Sequence, residues 1–255
     1  NLPILYGSGD VDGRFYTALE YVEGQLLSNW LAPDGRLREL DGLRIAREMA
    51  CALYHAHVLG LLFRDVRPEL VLLDPHGHAR FCDLGVGKVL SEDPRLIAAG
   101  LAPDTPAYLA PEQVRGNRMA GRRADLYGLG ATLFRMLCGR PPYQGPPAEM
   151  SARILSQDPP DPATIVPDLS AGSRELLKRL LARNPEDRPS EADPVVSELG
   201  KLLAAAGQPV APPPAAAPAG APAAAPGATE AAAAPAPRAE PLPQLLPIPR
   251  PRPRK

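Results

Sequence analysis

The sequence FRDVRPEL occupies residues 63–70, and it is followed by FCDLG at residues 81–85 and by DTPAYLAPE at residues 104–112. These three strings lie in one long region that is punctuated by Asp, Gly and Pro. Long irregular segments inside a compact domain are usually functional rather than simple connections. The chemistry of this protein is therefore expected between residues 63 and 112.

Regular patterns lie on both sides of this region. Residues 4–6 and 15–22 are rich in aromatic and aliphatic side chains, and the turn-forming stretch 7–13 between them predicts a β-hairpin. Ser173 is predicted to cap a helix that ends near Asn184. Aliphatic residues recur at helical spacing in three segments, which predict three helices: Leu43, Ala46, Ala50 and Leu53; Leu126, Leu129, Leu133 and Met136; Leu176, Leu177, Leu180 and Leu181.

Further strings follow in order along the chain: ADLYGLG at residues 124–130, CGRPPY at 138–143 and NPEDRP at 184–189. Together with the first three strings, they resemble the motifs of the protein kinase family, from its catalytic loop through its Asp-Phe-Gly and Ala-Pro-Glu motifs to its closing signature. Each motif alone is short, but the common order over about 130 residues is specific. The resemblance is closest to bacterial serine/threonine protein kinases and covers residues 1 to about 203.

The resemblance implies phosphoryl transfer from ATP, with Mg²⁺, to a protein hydroxyl. In that reaction the protein mainly positions groups and neutralises phosphate charge. Asp65 would accept or orient the hydroxyl proton, and Asp83 would bind Mg²⁺ as a hard oxygen ligand. Arg67 stands where the family usually has a Lys that contacts the transferred phosphate. It keeps the positive charge but replaces a compact ammonium with a wider fork.

The same resemblance assigns the nucleotide and activation sites. The backbone at Glu20 and Val22 would meet the adenine, with Leu72 beneath the ring. Arg64 would meet a phosphorylated activation segment. Thr105 is the position that the family associates with serine and threonine acceptors.

Other matched positions are expected to shape the fold. Glu112 and Arg188 would form the family's buried ion pair, and Asp125 would cap the backbone of the catalytic loop. His55 and His57 lie near a helix end without other residues at ligand spacing, which argues against a metal site there.

Besides Arg67, three positions depart from the family pattern. Leu70 stands where the family has an Asn that holds the second Mg²⁺, and a Leu side chain offers no lone pair. Phe63 replaces a His, and Asp104 replaces a Gly. In addition, no Lys occurs before Lys88, so the family's phosphate-anchoring Lys is absent from these 255 residues. The run Gly7-x-Gly9 is interpreted as a plain hairpin turn, because the next Gly is Gly13, one residue too late for a phosphate-binding motif.

The last 51 residues, 205–255, hold 15 of the 34 Pro residues and 18 Ala residues. Proline prevents the Ala runs from forming long helices, so a disordered or polyproline-like tail is predicted. The tail carries a net charge of +3, which leaves −4 for residues 1–204. Its basic end, RPRPRK, is interpreted as a solvated linker end, with a juxtamembrane stop or a peptide ligand as alternatives.

Overall composition excludes some classes of protein. A net charge of −1 gives no reason to expect a nucleic-acid partner or a general membrane-surface binder. The three cysteines form no CxxC pair, which indicates a reducing, cytoplasmic compartment. No apolar run approaches the roughly 18 residues that span a bilayer, so membrane attachment would require a span after Lys255. Trp30 is expected in the core, and Cys82 is expected to be a small buried apolar residue.

The expected fold is α+β and mainly α-helical, with a remnant of the small kinase lobe and hinge at 1–22, a kinase-like large lobe at 23–203 and a Pro/Ala-rich tail at 204–255. The favoured function is a serine/threonine protein kinase domain that acts on a protein substrate. The chain starts with Asn and lacks the anchoring Lys, so it is expected to be a fragment that binds ATP and Mg²⁺ weakly or not at all. The alternatives are a pseudokinase that serves as a scaffold for a signalling partner and, on composition alone, an adaptor that works through its tail.

Overall fold

A computed structural model describes residues 2–11, 14–31, 35–82, 105–117 and 120–207 of the 255-residue chain. Within these ranges, helices predominate and the strands form two small antiparallel sheets. The prediction of a mainly helical α+β fold is therefore confirmed. The predicted tail lies outside the described residues from residue 208 onward.

The first sheet is the hairpin at the front of the chain. β1 (Leu5–Val11) pairs with β2 (Arg14–Leu19) in antiparallel register, from Leu5 opposite Leu19 to Val11 opposite Arg14. The hairpin agrees with the sequence pattern, but the prediction that residues 7–13 form the turn is wrong, because residues 7–11 belong to β1. At Gly9 a Cβ would lie 2.9 Å from the Tyr16 hydroxyl. This glycine therefore allows the tyrosine ring to cross the strand rather than making a turn.

The second sheet has the order β3-β4-β5, with all neighbours antiparallel. β3 is Gln25–Leu26, β4 is Val71–Leu73 and β5 is Ala79–Phe81. Leu72 lies opposite Leu26 on one side and opposite Arg80 on the other. The sheet therefore joins the segment just after the hairpin to the strand that leads towards the FCDLG string.

The helices begin with the single turn α1 (Leu27–Trp30) and the long α2 (Glu39–Val58). α2 packs against two later helices, Arg122–Cys138 and Ala192–Ala205. After α2, the chain forms α-helices and four short 3-10 turns, at Pro68–Leu70, Thr105–Tyr108, Pro162–Thr164 and Pro185–Asp187. These helices are α3 (Pro111–Val114), α4 (Arg122–Cys138), α5 (Pro147–Ser156), α6 (Ala171–Leu180) and α7 (Ala192–Ala205).

The centre of the core is α4, whose residues 124–138 are all buried. The periodic Leu residues predicted this helix, and the structure shows that its opposite face is buried as well. It contacts α2 and α6. At Gly128 an added Cβ would lie 2.9 Å from Val66 Cβ and 3.1 Å from the Val66 carbonyl oxygen. The missing side chain lets the 63–70 segment lie directly on the helix.

Three predictions about single positions are wrong. Ser170, not Ser173, caps α6, because the Ser170 side chain accepts a hydrogen bond from the Ser173 amide. Ser173 is buried, and its hydroxyl donates to Glu39 Oε1 at 2.6 Å. Trp30 is 54% exposed because it ends the one-turn helix α1, outside the core. Cys82 is only partly buried, since it follows the last residue of β5.

In the parts of the chain described above, none of the helices combines the length and apolar character needed to cross a bilayer.

Candidate active site

Asp65 and Arg67 lie side by side in the segment Phe63 to Leu70, which is called the 63–70 loop below. Asp65 is 5% exposed, and its Oδ1 lies 3.2 Å from Arg67 Nε. The Arg67 side chain is 14% exposed. The loop therefore holds one buried carboxylate next to one guanidinium that still reaches the surface.

Asp125, near the start of α4, fixes the front of this loop. Its Oδ2 accepts a hydrogen bond from the Phe63 amide at 3.0 Å, and its Oδ1 accepts one from the Arg64 amide at 2.7 Å. The imidazole Nε2 of His57 lies 2.9 Å from the same Oδ2. The carboxylate is fully buried, so these contacts compensate for its loss of hydration. This is the capping geometry expected of Asp125 from the sequence.

Arg64 has a left-handed backbone with φ of 61°, a conformation that costs roughly 1–3 kcal/mol for a residue other than glycine. Its amide donates to Asp125, and its carbonyl oxygen accepts from Gln113 Nε2 at 2.7 Å. Gln113 also accepts from the Ala110 amide through its Oε1 at 3.0 Å. The strained residue is therefore held on both sides, and its exposed side chain is directed by a fixed backbone.

The middle of the loop rests on α4. The Val66 carbonyl oxygen accepts a hydrogen bond from the Thr132 hydroxyl at 3.1 Å, and both residues are buried. Gly128, one helical turn earlier, makes the close approach to Val66 described above. The backbone on both sides of Asp65 is thus bound to one rigid helix.

The end of the loop is tied to β5. The Cys82 amide donates to the Leu70 carbonyl oxygen at 3.0 Å. The rings of Phe63 and Phe81 pack with their centroids 4.4 Å apart. Phe63 therefore fills its position as a buried aromatic, and Leu70 lies beside the strand that leads to residue 83.

The described residues do not provide a second Mg²⁺ site at Leu70. Its side chain is apolar, and its carbonyl oxygen already accepts the Cys82 amide. Across the described ranges, no group of three or more His, Cys, Asp or Glu side chains is placed to hold a metal ion. Asp83 and Asp104 lie outside the described residues, so Asp83 stays a prediction.

Glu20 and Leu72, which are expected to contact the adenine, are linked through Arg80. Arg80 Nη1 lies 3.3 Å from Glu20 Oε1, and Arg80 is the strand partner of Leu72. The Glu20 carboxylate also accepts from the Ile4 amide at 3.1 Å, while the Glu20 amide donates to the Ile4 carbonyl oxygen at 2.7 Å. Val22 follows as a half-buried residue.

Glu112 and Arg188 form a two-bond ion pair, with Nη1 to Oε1 at 2.7 Å and Nη2 to Oε2 at 3.0 Å. The Arg188 side chain is fully buried and lies over the Tyr127 ring, 4.9 Å from its centroid. Burial raises the pKa of Tyr127 well above its ordinary range, so this ring stays neutral. Removing one partner would leave a buried charge, which typically costs about 3–5 kcal/mol. The pair therefore supports the fold rather than the chemistry.

Thr105 begins the 3-10 turn that ends at Tyr108, and its side chain lies outside what is described. Sequence reasoning missed the contributions of Arg80, Gln113 and Thr132, because their partners are distant in the chain. It considered His57 only as a metal ligand. The available signal for a role of His57 beside the loop was its position near the end of a predicted helix, six residues before Phe63.

Several known proteins are similar in sequence to this chain. The sequence model of the family described as "Protein kinase domain" matches residues 4–199. The chain is 33% identical over 198 residues to "Serine/threonine-protein kinase pkn3" of Myxococcus xanthus, a match that covers 74% of this chain and 36% of that protein. It is 30% identical over 204 residues to "Serine/threonine-protein kinase PknE" of Mycobacterium tuberculosis, covering 80% and 36%.

A third relative is "Serine/threonine-protein kinase PrkC" of Bacillus subtilis, which is 28% identical over 200 residues, with 78% of this chain and 31% of that protein covered. The chain thus spans about a third of the length of these three curated relatives.

Proposed function

Since this chain belongs to the protein kinase family, we propose that it transfers the terminal phosphoryl group of ATP to serine or threonine hydroxyls of a protein. The relatives named above carry that activity in their names. We further propose that transfer by this chain is slow, because Leu70 offers no metal ligand and no Lys precedes Lys88.

One observation carries the proposal: a buried carboxylate and a cation are held side by side on a backbone that is fixed at several points. Asp65 would accept or orient the proton of the substrate hydroxyl, and its 5% exposure is consistent with a group that faces a confined site. Arg67 Nε lies 3.2 Å from Asp65 Oδ1, and the guanidinium would face the transferred phosphate. A guanidinium presents several donors in a fork, so it can contact a carboxylate and a phosphate oxygen at the same time.

The nucleotide would lie between the backbone at Glu20 and Val22 and the side chain of Leu72. The contact between Arg80 and Glu20 supports this arrangement, because it joins the chain before β3 to the strand opposite Leu72. Asp83 would hold Mg²⁺, and the metal would neutralise charge on the phosphate oxygens. Arg64 and Thr105 would serve the activation segment, as the family resemblance implies.

The test is phosphate incorporation from radiolabelled ATP into a serine/threonine peptide library by the 255-residue chain. Asp65→Asn should lower incorporation by at least about 100-fold, since a positioned base contributes 10²–10⁴. Asp168→Asn is the matched control, because Asp168 is exposed in a loop and has no assigned role. Equal incorporation by Asp65→Asn and the wild type would contradict the proposal, as would incorporation into tyrosine peptides alone when a tyrosine peptide library is offered beside the first.

A second candidate function is a pseudokinase, a binding and scaffold module for a signalling partner. Leu70 favours it, because a lost metal ligand weakens chemistry while leaving the helical fold intact. Absence of incorporation by the wild-type chain, with a folded protein shown by a cooperative thermal transition, would favour this candidate over the kinase.

The proposed setting is the reducing cytoplasm or the cytoplasmic face of a membrane. None of Cys51, Cys82 and Cys138, all within the described residues, forms a disulfide. The proposed partners are proteins, and the near-neutral charge gives no reason to add nucleic acid.

A further inference from the structure

The side-chain amide of Gln113 joins two segments that are 49 residues apart in the chain. Its Oε1 accepts a hydrogen bond from the Ala110 amide at 3.0 Å, and its Nε2 donates to the Arg64 carbonyl oxygen at 2.7 Å. A backbone amide can only donate and a carbonyl can only accept, so the two ends of this bridge require opposite groups. Of Gln, Glu and Met, which are similar in size, only Gln supplies both an acceptor and a donor.

The first end of the bridge is the peptide group between Arg64 and Asp65. Because a peptide group is planar, a hydrogen bond that orients the Arg64 carbonyl also orients the Asp65 amide. Arg64 has φ of 61°, a left-handed conformation that is unfavourable for a residue other than Gly unless its surroundings hold it. Gln113 therefore acts on the peptide group directly before the proposed catalytic carboxylate, at a residue that would otherwise favour another conformation.

The second end of the bridge is fixed in the core. Ala110 is fully buried, and its carbonyl oxygen accepts from the Gln113 backbone amide at 2.9 Å. Glu112, the residue before Gln113, forms the buried ion pair with Arg188. The 3-10 turn Thr105–Tyr108 lies just ahead of Ala110. A shift of that turn would therefore reach the catalytic loop through the side chain of Gln113.

The bridge orients a peptide group that Asp125 does not bind. Asp125 accepts the Phe63 and Arg64 amides, which belong to the two peptide groups ahead of the Arg64 Cα. Gln113 binds the carbonyl of the peptide group that follows it. The strained residue is thus held by one element on its N-terminal side and by another on its C-terminal side.

We propose that Gln113 is a positioning residue for phosphoryl transfer, which orients the Arg64–Asp65 peptide group and couples it to the segment that ends at Ala110. The kinetic part of this inference rests on the proposed kinase function. The structural part does not, because it concerns the hydrogen bonds of one side-chain amide.

The test compares Gln113→Glu with Gln113→Met in the full chain. Glu has the shape of Gln and keeps an oxygen for the Ala110 amide, but it places a second oxygen against the Arg64 carbonyl. Met has a similar length and loses both hydrogen bonds. Gln157→Glu is the matched control, because it makes the same chemical change at an exposed position just after α5.

The first readout is the NMR resonance of the Arg64 carbonyl carbon. Arg followed by Asp occurs once in the chain, so cell-free synthesis with carbonyl-¹³C arginine and ¹⁵N aspartate labels this peptide bond alone. The resonance should move upfield in both Gln113 variants, as expected for a lost hydrogen bond, and stay in place in Gln157→Glu. An unchanged resonance in both Gln113 variants would overturn the proposal.

Hydrogen exchange separates the two ends of the bridge. Exchange at the Arg64 amide should be about 3- to 10-fold faster in both Gln113 variants, the factor that corresponds to one lost neutral hydrogen bond. Exchange at the Ala110 amide should rise by a similar factor in Gln113→Met only, because Glu still accepts from that amide. Unchanged exchange at Arg64 in both variants would overturn the coupling.

The last readout is the rate of peptide phosphorylation, with Tm measured in parallel. Gln113→Glu should lower kcat about tenfold, while the KM for peptide changes less than about twofold and Tm stays within about 1 °C. Gln113→Met should lower both kcat and Tm. An unchanged kcat in Gln113→Glu, or a loss of kcat only where Tm also falls, would overturn the positioning role. If the wild-type chain transfers no phosphate, the proposed function fails, but the Arg64 resonance still decides the structural role of Gln113.

Discussion

Leu70 is the residue at which the site and the proposed reaction disagree most directly. It lies at the end of the 63–70 loop, and its carbonyl oxygen is bound to the Cys82 amide, next to residue 83. Its carbonyl oxygen is therefore bound one residue before the expected Mg²⁺ ligand, Asp83, and its side chain has no oxygen to contribute. A polar replacement at this one position could supply what is missing without moving the backbone.

Leu70→Asn is expected to raise the rate of Mg²⁺-dependent phosphorylation. A ligand that stabilises the transition state by about 1.4 kcal/mol gives a tenfold increase, so at least about tenfold is expected. Incorporation of radiolabelled phosphate at saturating Mg²⁺ measures it. Leu70→Ala is the control, because it removes the side chain without adding an oxygen. An equal increase in both variants would show that bulk, not a missing ligand, limits the rate.

Sequence alone could assign Asp65 and Arg67 to one site, because they are two residues apart in a motif. It could also pair Glu112 with Arg188 through the family resemblance. It could not find Arg80 beside Glu20, because these side chains are 60 residues apart and meet only through strand pairing. His57 was missed for the same reason, since its partner lies 68 residues away.

At the scale of elements, α4 both fills the core and carries the loop. Gly128 allows Val66 to lie directly on the helix. The atoms nearest to Gly128 are the Cβ and the carbonyl oxygen of Val66, and these move only when the backbone of the loop moves. Gly42 in α2 is also tightly packed, since a Cβ there would lie 2.6 Å from Leu137 Cδ2. That neighbour is the end of a flexible side chain, so it can rotate away. The two glycines therefore differ in how their surroundings can adjust.

Gly128→Ala is expected to lower the free energy of unfolding by about 1–3 kcal/mol, because overpacking forces the backbone at Val66 to shift. Gly42→Ala should change it by less than about 1 kcal/mol, since the better helix propensity of Ala offsets the side-chain adjustment. Urea unfolding of both variants measures the difference. Equal effects would mean that the loop is not held against α4 as described.

The last residue of α4 and the segment after it contain two buried weak acids, Cys138 and Tyr143, whose neutral forms are favoured in the fold. Burial raises the pKa of the Cys138 thiol from 9.0 to about 11. Burial likewise raises the pKa of Tyr143 from 10.0 to about 12. The Tyr143 hydroxyl also donates to the Gln157 carbonyl oxygen at 2.8 Å.

These shifts predict alkaline destabilisation. The unfolded chain loses its protons first, so rising pH favours unfolding. The contribution of Cys138 is complete below its ordinary pKa of 9.0 and is lost as pH rises towards about 11. Urea unfolding across this range should show a falling free energy, and in Cys138→Ala the fall should be smaller, because burial also raises the pKa of Cys51 and that contribution remains. A flat profile in the wild type would contradict the burial of both groups.

Elements were predictable where periodicity was long and strong, as in α2 and α4. The start of α6 was misplaced because Ser170 and Ser173 are both suitable caps, and only the Ser170 side chain accepts an amide. The extent of β1 was missed because Gly7 and Gly9 read as turn residues. The role of Gly9 in the strand is visible only from the Tyr16 ring on the opposite strand.

At the scale of the whole molecule, the sequence contains four Lys residues, and the first is Lys88. The family's anchor for ATP phosphates is a lysine on a strand ahead of the hinge. Under the proposed function, Arg67 and Asp83 are the matched positions within these 255 residues that would contact the nucleotide phosphates and their metal.

Weak binding of Mg²⁺-ATP is accordingly expected. With ATP at about its own Kd, the stabilisation is only about 0.4 kcal/mol, which corresponds to a rise in Tm of about 1 °C for a chain of this size. Thermal unfolding at millimolar ATP and Mg²⁺ measures it, with pyrophosphate at the same concentration as the control for ionic effects. A rise of several degrees with ATP alone would show that another group anchors the phosphates.

The hydrogen bonds of Asp125 also set an order of events while the protein is being made. Phe63 and Arg64 must wait for a carboxylate that lies 62 and 61 residues further along the chain. At 5–20 residues per second, the ribosome needs roughly 3–12 s to add that length. The nascent chain therefore carries the 63–70 loop without its Asp125 hydrogen bonds for seconds, and the backbone before Asp65 reaches its final geometry only after α4 has been synthesised.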